Sequence, residues 1–88
     1  FYVTMVGHVG DGNFHVGLII DPENEAEMAE ATAINDRLVK RAIALEGTAT
    51  GEHGVGTGKR KFMMLEHGAG VDIMRTIKQA LDPLGILN

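Results

Sequence analysis

The sequence contains no cysteine, which excludes disulfide bonds, thiolate metal ligands and a cysteine nucleophile. Any metal ion bound by this chain must therefore be held by nitrogen and oxygen atoms. Long apolar runs are also missing, since none approaches the roughly 18 residues of a membrane-spanning helix, and no secretory signal pattern opens the chain. We expect a cytoplasmic protein, peripheral to a membrane at most in its full-length form.

Basic residues are few. The chain has 8 Lys and Arg against 12 Asp and Glu, a formal net charge of −4. Binding to nucleic acid needs a basic surface, and the one basic cluster is Lys59, Arg60 and Lys61. We therefore expect no nucleic-acid partner. The hydrophobic share of 44% and the charged share of 23% are those of an ordinary globular protein.

The length of 88 residues allows one small domain, and so short a chain buries too little surface to be very stable by itself. The first residue is Phe1 rather than Met, and the last residues, up to Asn88, carry no clear end signal. We expect a piece of a longer protein.

Two segments rich in β-branched and aromatic residues, Phe1–Gly7 and Phe14–Ile20, flank a cluster of Gly, Asp and Asn. This pattern predicts two antiparallel strands joined by a turn. Centring the turn on residues 11–12 places His8 directly opposite His15. Directly opposed side chains have Cβ atoms about 4.5 to 5.5 Å apart, so both imidazoles could bind one ion.

Side chains alternate between the two faces of a strand, so the same hairpin has one strongly apolar face, which we expect to pack against helices. The second face carries both histidines, with Gly17 leaving room beside them. The residues predicted on the apolar face are Val3, Met5, Phe14, Val16, Leu18 and Ile20.

Helical periodicity follows a turn at residues 21–24. An apolar stripe predicts a helix of about six turns that ends at Gly47. A short helix is expected over Arg60–Glu66, Gly68 breaks it, and Asp82-Pro83 ends a last helix. The two predicted stripes are Ala31, Ile34, Leu38, Ala42 and Leu45, and then Val71, Met74, Ile77 and Leu81.

This order of elements predicts an α+β fold in which helices cover one face of an antiparallel sheet. Two strands are too few for an independent sheet, so further strands must come from other sequence or from a second copy of the chain. Unpaired strand edges and an exposed apolar face favour self-association as a homo-oligomer.

A glycine-rich segment, Gly47–Gly58, carries Glu52 and His53. Glycine lets the backbone turn sharply and approach a ligand closely, so Glu52 suits a third metal ligand beside His8 and His15. Adjacent side chains point apart in extended backbone, which predicts a different task for His53, that of a general base near the cation. The alternative is that these histidines and Glu52 are solvated loop residues without a role.

Two further residues are candidates for substrate binding. Asn13 serves the turn and is also placed to hydrogen-bond a ligand. Lys59 can attract an anionic group, although a solvated helix start explains it equally well. His67 is interpreted as a solvated residue or as a positive charge at a helix C-terminus.

The segments Gly7–His15 and Thr50–Arg60 resemble the two signatures of the C-terminal domain of FAD-linked oxidases. This family contains flavin-dependent D-lactate dehydrogenases, the FAD subunit of glycolate oxidase and D-2-hydroxyglutarate dehydrogenase. The ending Leu81–Asn88 is similar to the family's closing motif. The resemblance implies a ferredoxin-like α+β fold, with residues 1–88 as the C-terminal part of a substrate (cap) domain and the FAD-binding domain absent from this chain.

By position in the motifs, the resemblance implies that His8, His15 and Glu52 bind a divalent metal such as zinc or manganese, and that His53 is the base. The implied reaction oxidises a small 2-hydroxy acid to a 2-oxo acid, with hydride transfer to FAD. Several family members carry Asn where this chain has Gly17, which favours D-lactate or glycolate over D-2-hydroxyglutarate. The isolated chain is expected to be inactive without its FAD domain.

Two other functions use the same residues. A metal-dependent hydrolase would activate water on the cation and shuttle protons through His53. A non-catalytic module would bind a structural metal, or none, and serve assembly. Metal content and flavin content of the full-length protein separate these alternatives.

Overall fold

A computed structural model describes residues 2–88; Phe1, part of the first predicted strand, lies outside the described residues. Two antiparallel strands and three α-helices make up the regular structure of this part of the chain, which confirms the α+β class. The elements are β1 (Tyr2–Val6), β2 (His15–Ile19), α1 (Glu25–Ala44), α2 (Met63–His67) and α3 (Gly70–Leu81), with 3₁₀ turns at Val9–Asp11 and Arg60–Phe62.

The chain divides into two compact units. One extends to Arg41 and contains the hairpin and most of α1, and the other comprises Ala42–Asn88. Within residues 2–88, no helix is both long enough and apolar enough to cross a membrane. The buried apolar side chains are Ala31 and Val39 in the first unit, and Ala49, Phe62 and Val71 in the second.

The hairpin has the predicted faces but a different register. His15 pairs with Val6, and Thr4 pairs with Gly17, so the prediction that His8 lies directly opposite His15 is wrong. A 3₁₀ turn at Val9–Asp11, followed by Gly12 at φ 76°, replaces the expected tight turn and makes the connection longer. The observed strand pairing is shifted by two residues from the predicted pairing. A shift by an even number of residues leaves every side chain on its predicted face.

The apolar face of the hairpin is only partly covered in the described part of the chain, because Val16, Leu18 and Ile20 are half-buried whereas the first strand is exposed. Val3 is 57% exposed and Met5 is 67% exposed. Complete cover of this face by the expected helices is therefore not seen within residues 2–88. A two-stranded sheet by itself is at best marginally stable. Because Val3 and Met5 remain exposed, their burial adds little to the stability of this hairpin.

Helix α1 begins with a well-formed N-terminal cap. The Asn24 side-chain oxygen accepts a hydrogen bond from the Glu27 amide at 3.1 Å, and the Glu27 carboxylate accepts one from the Asp21 amide at 2.8 Å. These bonds satisfy amides that have no partner inside the helix. Acidic residues at Glu25 and Glu27 also suit the positive end of the helix dipole. The predicted start of this helix is confirmed.

The end of α1 depends on two residues with different roles. The amides of Glu46 and Gly47 donate to the carbonyls of Ile43 and Ala42 at 3.0 and 2.8 Å, the pattern of a Schellman cap. Glu46, not Gly47, has the positive φ of 65°. Gly47 is required for a different reason, because a Cβ there would lie 2.9 Å from the Ala42 carbonyl oxygen. Leu45, predicted in the buried stripe, lies beyond the helix and is exposed.

The last two helices end where predicted, to within one residue, but the predicted helix over Arg60–Glu66 begins as a 3₁₀ turn at Arg60–Phe62 and is α-helical only over Met63–His67. Gly68, at φ 54°, separates α2 from α3, and α3 ends at Leu81 before Asp82. The apolar stripe of α3 is less buried than predicted. Val71 is buried, whereas Ile77 and Leu81 are exposed in the described part of the chain.

A buried carboxylate holds the C-terminal segment of the second unit. Asp82, which is 7% exposed, accepts hydrogen bonds from the amides of Ile86 and Leu87 at 3.0 and 2.9 Å and from the Lys78 ammonium. The hydrogen bond from Lys78 is the main cause that lowers the pKa of Asp82 below its ordinary value of 3.8. The two amide bonds act in the same direction, whereas burial opposes them.

We predict that Asp82→Asn destabilises the second unit at neutral pH. The Asn side chain is uncharged, so the hydrogen bonds that Lys78 and two backbone amides donate to the Asp82 carboxylate would be weakened or lost. A lowered pKa in the folded state stabilises the fold above the unfolded value of 3.8, and this contribution disappears as pH falls through the folded pKa. Thermal melts of the full-length protein between about pH 3 and pH 7 should therefore show a deficit that shrinks towards the acid end. Asp72→Asn is the matched control, because that carboxylate is largely exposed beside Arg75; an equal deficit in both variants would contradict the prediction.

Candidate functional site

The first unit places His8 and His15 at the loop end of the hairpin. His8 lies just after β1, with φ −96° and ψ 68°, and His15 is the first residue of β2. The backbone carbonyl of His8 accepts hydrogen bonds from the amides of Asp11 and Asn13 at 2.9 and 3.2 Å. The loop is thus folded around His8 by its own backbone, which limits where the imidazole can lie.

The observed register changes the relation between the two histidines. Because His15 faces Val6, His8 lies two residues further along and is a diagonal neighbour rather than a direct one. His8 lies beyond the last paired residue of the first strand, with φ −96° and ψ 68°, so the spacing of a regular antiparallel pair does not apply to it. That the two imidazoles bind one ion stays a prediction.

Asn13 has the observation that best indicates a ligand in the first unit. Its Oδ1 is buried and has no hydrogen-bond partner among residues 2–88. Leaving a buried acceptor unsatisfied costs about 1–3 kcal/mol, so a donor from a ligand or from other sequence is expected to meet this oxygen. The Asn13 amide donates to the His8 carbonyl at 3.2 Å, which confirms its predicted role in the turn, whereas its predicted hydrogen bond to a ligand stays a prediction.

Gly7 positions the histidine loop, a role that the sequence analysis missed. A Cβ at Gly7 would lie 2.5 Å from Phe14 Cα and 2.6 Å from the Asn13 carbonyl oxygen, so only glycine permits this approach. The available signal was a glycine between a strand and a histidine. Gly17 differs from its prediction, because the Thr4 hydroxyl occupies the space beside it, 2.5 Å from where a Cβ would be.

The second unit brings Glu52 and His53 together. His53 Nε2 lies 3.6 Å from Glu52 Oε1, and the two side chains are 76% and 38% exposed respectively. The expectation that these neighbours point apart is wrong, because residues 51–53 form a bend rather than extended backbone. A carboxylate and an imidazole are therefore presented side by side, both accessible to a ligand.

Hydrogen bonds and glycines shape the loop that carries this pair. The Thr50 hydroxyl donates to the Gly54 carbonyl at 2.8 Å, across the bend that contains Glu52 and His53. Gly54 and Gly56 have φ of 78° and 58°, a region that side-chain-bearing residues rarely adopt. The sharp backbone turning expected of glycine in this segment is confirmed at these two positions, whereas the close approach to a ligand stays a prediction.

Two more residues of the second unit complete the predicted set. Lys59 is half-buried at the start of the 3₁₀ turn, where its carbonyl accepts the Phe62 amide at 3.1 Å. His67 is not simply solvated, because its Nε2 lies 2.8 Å from Glu66 Oε2. Glu66 itself was not singled out in the sequence, since an isolated glutamate in a short helix carries no motif.

The chemistry of the donor set suits a divalent cation. The first unit carries two imidazoles, those of His8 and His15, and the second carries the Glu52 carboxylate. Zinc, manganese and iron accept imidazole nitrogen and carboxylate oxygen as ligands, so these residue types fit the predicted metal; that the three bind one ion stays a prediction.

Comparison with known proteins identifies the family. The family model described as "FAD linked oxidases, C-terminal domain" matches residues 1–88. The chain belongs to this family. The resemblance noted in the two sequence motifs is therefore confirmed over the whole chain, including the segments that contain the candidate residues.

Relatives within this family carry names of hydroxy acid oxidoreductases. The chain is 52% identical over 86 residues to "D-lactate dehydrogenase [cytochrome] 1, mitochondrial" of Saccharomyces cerevisiae and 45% identical over 86 residues to "D-lactate dehydrogenase [cytochrome], mitochondrial" of Arabidopsis thaliana. It is 41% identical over 87 residues to "Glycolate oxidase subunit GlcD" of Bacillus subtilis. These alignments cover 97%, 97% and 98% of this FAD-linked oxidase domain, but only 14%, 15% and 18% of the relatives.

We predict that Gly7→Ala disturbs the histidine loop, whereas Gly10→Ala does not. The added methyl at Gly7 meets backbone at 2.5 Å, but at Gly10 it meets nothing within 4 Å. Overpacking of this kind costs about 1–3 kcal/mol. Hydrogen exchange at the amides of Asp11 and Asn13 in the full-length protein should therefore accelerate by about tenfold or more in Gly7→Ala alone. Equal exchange in the two variants would show that the close approach does not hold the loop.

Proposed function

We propose that this FAD-linked oxidase domain is the metal- and substrate-binding portion of a flavin-dependent 2-hydroxy acid dehydrogenase of the D-lactate or glycolate type. The family match over residues 1–88 is the observation that carries the proposal. The printed names of the yeast and Bacillus relatives support the substrate class. Gly17, which stands where several family members have Asn, favours D-lactate or glycolate over D-2-hydroxyglutarate.

His8, His15 and Glu52 are the proposed metal ligands, with zinc or manganese as the cation. The loop around His8 is held by backbone hydrogen bonds, and the bend at Glu52 is closed by Thr50. Ligands on ordered loops lose less conformational freedom when they bind an ion. The nitrogen and oxygen donor set, without any thiolate, agrees with either metal.

When bound, the metal ion would polarise the hydroxyl and carboxylate of the hydroxy acid, and FAD, held by other sequence of the protein, would accept the hydride from C2. His53 would take the hydroxyl proton on a ring nitrogen, so that proton and hydride leave together and a 2-oxo acid remains. Its ring is 76% exposed and lies 3.6 Å from Glu52 Oε1, which supports a role for His53 next to the proposed ligand Glu52. Asn13 Oδ1 would accept a hydrogen bond from the bound ligand, and Lys59 would attract its carboxylate.

Location and assembly follow the relatives only in part. The names of the yeast and Arabidopsis relatives place those proteins in mitochondria. The cytoplasmic location and the homo-oligomer expected from the sequence stay predictions. The partner that the family membership supports is an FAD-binding domain in the same protein.

Metal and flavin analysis of the full-length protein tests the proposal directly. We expect about one divalent metal ion per chain together with one FAD, and reduction of that FAD on addition of D-lactate or glycolate. Metal without flavin would indicate the hydrolase instead, and neither cofactor would indicate a non-catalytic module. Replacement of His8 by Ala should abolish metal binding, because one of three protein ligands is lost.

A second test separates the base from the metal ligands. We predict that His53→Ala retains the bound metal but lowers turnover by about 10² to 10⁴, the usual contribution of a general base. His8→Ala should lose both metal and turnover. Stopped-flow reduction of FAD and elemental analysis on the same samples measure both quantities, and undiminished flavin reduction in His53→Ala would remove His53 from the mechanism.

A further inference from the structure

Glu66 is a mostly buried carboxylate that the proposed mechanism does not use. It lies in α2, outside both sequence motifs, and its side chain is only 10% exposed. A carboxylate is costly to bury unless donors satisfy it. The donors that Glu66 receives show what this burial achieves.

Glu66 binds the start of the glycine-rich loop. The Thr48 hydroxyl lies 3.0 Å from Oε1 and 2.9 Å from Oε2, and the Ala49 amide donates to Oε1 at 2.5 Å. Ala49 is itself buried. One carboxylate of α2 therefore fixes both the side chain and the backbone of the two residues that lead into the loop.

The connection continues from Thr48 towards the candidate residues. The Thr50 amide lies 3.5 Å from the Thr48 hydroxyl oxygen, and the Thr50 hydroxyl donates to the Gly54 carbonyl at 2.8 Å. Glu52 and His53 lie inside the segment closed by this last bond. Hydrogen bonds thus run from Glu66 through Thr48 and Thr50 to the bend that carries the proposed ligand and base.

The His67 imidazole completes the environment of Glu66. Its Nε2 lies 2.8 Å from Oε2, the oxygen opposite the one that binds the Ala49 amide. A ring nitrogen, a hydroxyl and an amide therefore share the two carboxylate oxygens. Charge-assisted hydrogen bonds of this kind are shorter and stronger than neutral ones, so the carboxylate is held in one orientation.

We propose that Glu66 is a positioning residue for Glu52 and His53, acting through Thr48, Ala49 and Thr50. The inference rests on the proposed function, because it assigns Glu66 the task of presenting a metal ligand and a base. Groups that hydrogen-bond directly to the ligands of a metal site affect its affinity by about 10- to 100-fold, and this range sets the upper limit for Glu66, which acts on Glu52 and His53 through the loop. If Glu66 only held α2 against the loop, its replacement would lower the stability of the second unit and leave the metal affinity unaltered.

The test uses zinc affinity of the full-length protein, measured by competition with a chromophoric chelator well below the unfolding temperature. We expect Glu66→Ala to weaken Zn²⁺ binding by up to about 10- to 100-fold. Thr48→Val, which removes only the hydroxyl, should act in the same direction at the lower end of that range. Thr48→Ser keeps the hydroxyl and should restore wild-type affinity.

Thr76→Val is the matched control for loss of a threonine hydroxyl. Its hydroxyl donates to the Asp72 carbonyl at 3.0 Å within α3, away from the glycine-rich loop. This variant should bind Zn²⁺ as the wild type does. Because Glu66→Ala could fail to fold, the comparison of Thr48→Val with Thr48→Ser and Thr76→Val provides the decisive result.

Hydrogen exchange in the metal-free protein gives a second measurement that does not depend on zinc. Amides in residues 49–54 should exchange faster in Thr48→Val than in Thr76→Val if the connection from Glu66 orders this segment. Wild-type zinc affinity in Glu66→Ala and Thr48→Val, with or without a lower melting temperature, would overturn the inference. Absence of zinc binding in the wild-type protein would instead overturn the proposed metal site, and the positioning role with it.

Discussion

The structure of the second unit depends on carboxylates that accept hydrogen bonds from backbone amides. Its buried apolar side chains are few, and much of its chain is irregular. Irregular backbone leaves amides without the partners that helices and strands provide, and such amides must be satisfied when they are buried. Glu66 satisfies the amide of the buried residue Ala49, whereas at Asp82 the buried group is the carboxylate itself, which the amides of Ile86 and Leu87 satisfy. Each carboxylate belongs to a helix or its cap and ties an irregular segment to that helix.

The hairpin loop of the first unit satisfies its backbone amides without a carboxylate. There the His8 carbonyl accepts hydrogen bonds from two backbone amides. Gly7 has no side chain, so the backbone of Asn13 and Phe14 can lie directly against it. The loop is small enough for its backbone to satisfy itself. In both units the candidate site residues lie on or beside loops. They are His8 and His15 in the first unit and Glu52 and His53 in the second. This is the usual arrangement in proteins, where an ordered scaffold presents functional residues on loops.

Family membership and physical structure answer different questions about this domain. The match over residues 1–88 assigns the chain to the C-terminal domain of FAD-linked oxidases, and relatives of this family are named D-lactate dehydrogenase and glycolate oxidase subunit. They do not explain why Glu52 and His53 share one side of a bend or why Gly7 precedes His8. Those features come from Thr50, which closes the bend, and from the close approach of Phe14 Cα and the Asn13 carbonyl. The chemistry proposed for the domain depends on both kinds of observation.

The sequence by itself determined the elements and their faces. Alternation of apolar residues placed Val3 and Met5 on one face of a hairpin, and helical periodicity with Asn24 and Gly47 at the ends predicted α1. These signals are local, because they depend on the period of the chain and on capping residues. The motifs containing His8, His15 and Glu52 likewise identified the family without any coordinates.

Only the tertiary structure decided the register, the bend and the role of Glu66. The pairing of His15 with Val6 depends on how many residues the loop consumes, and a 3₁₀ turn took more than the tight turn expected from Asp11 and Gly12. The bond from Ala49 to Glu66 joins residues 17 positions apart, and no sequence period encodes a contact at that separation. Such contacts arise from backbone groups that need partners and from whichever side chain the fold brings within hydrogen-bonding distance.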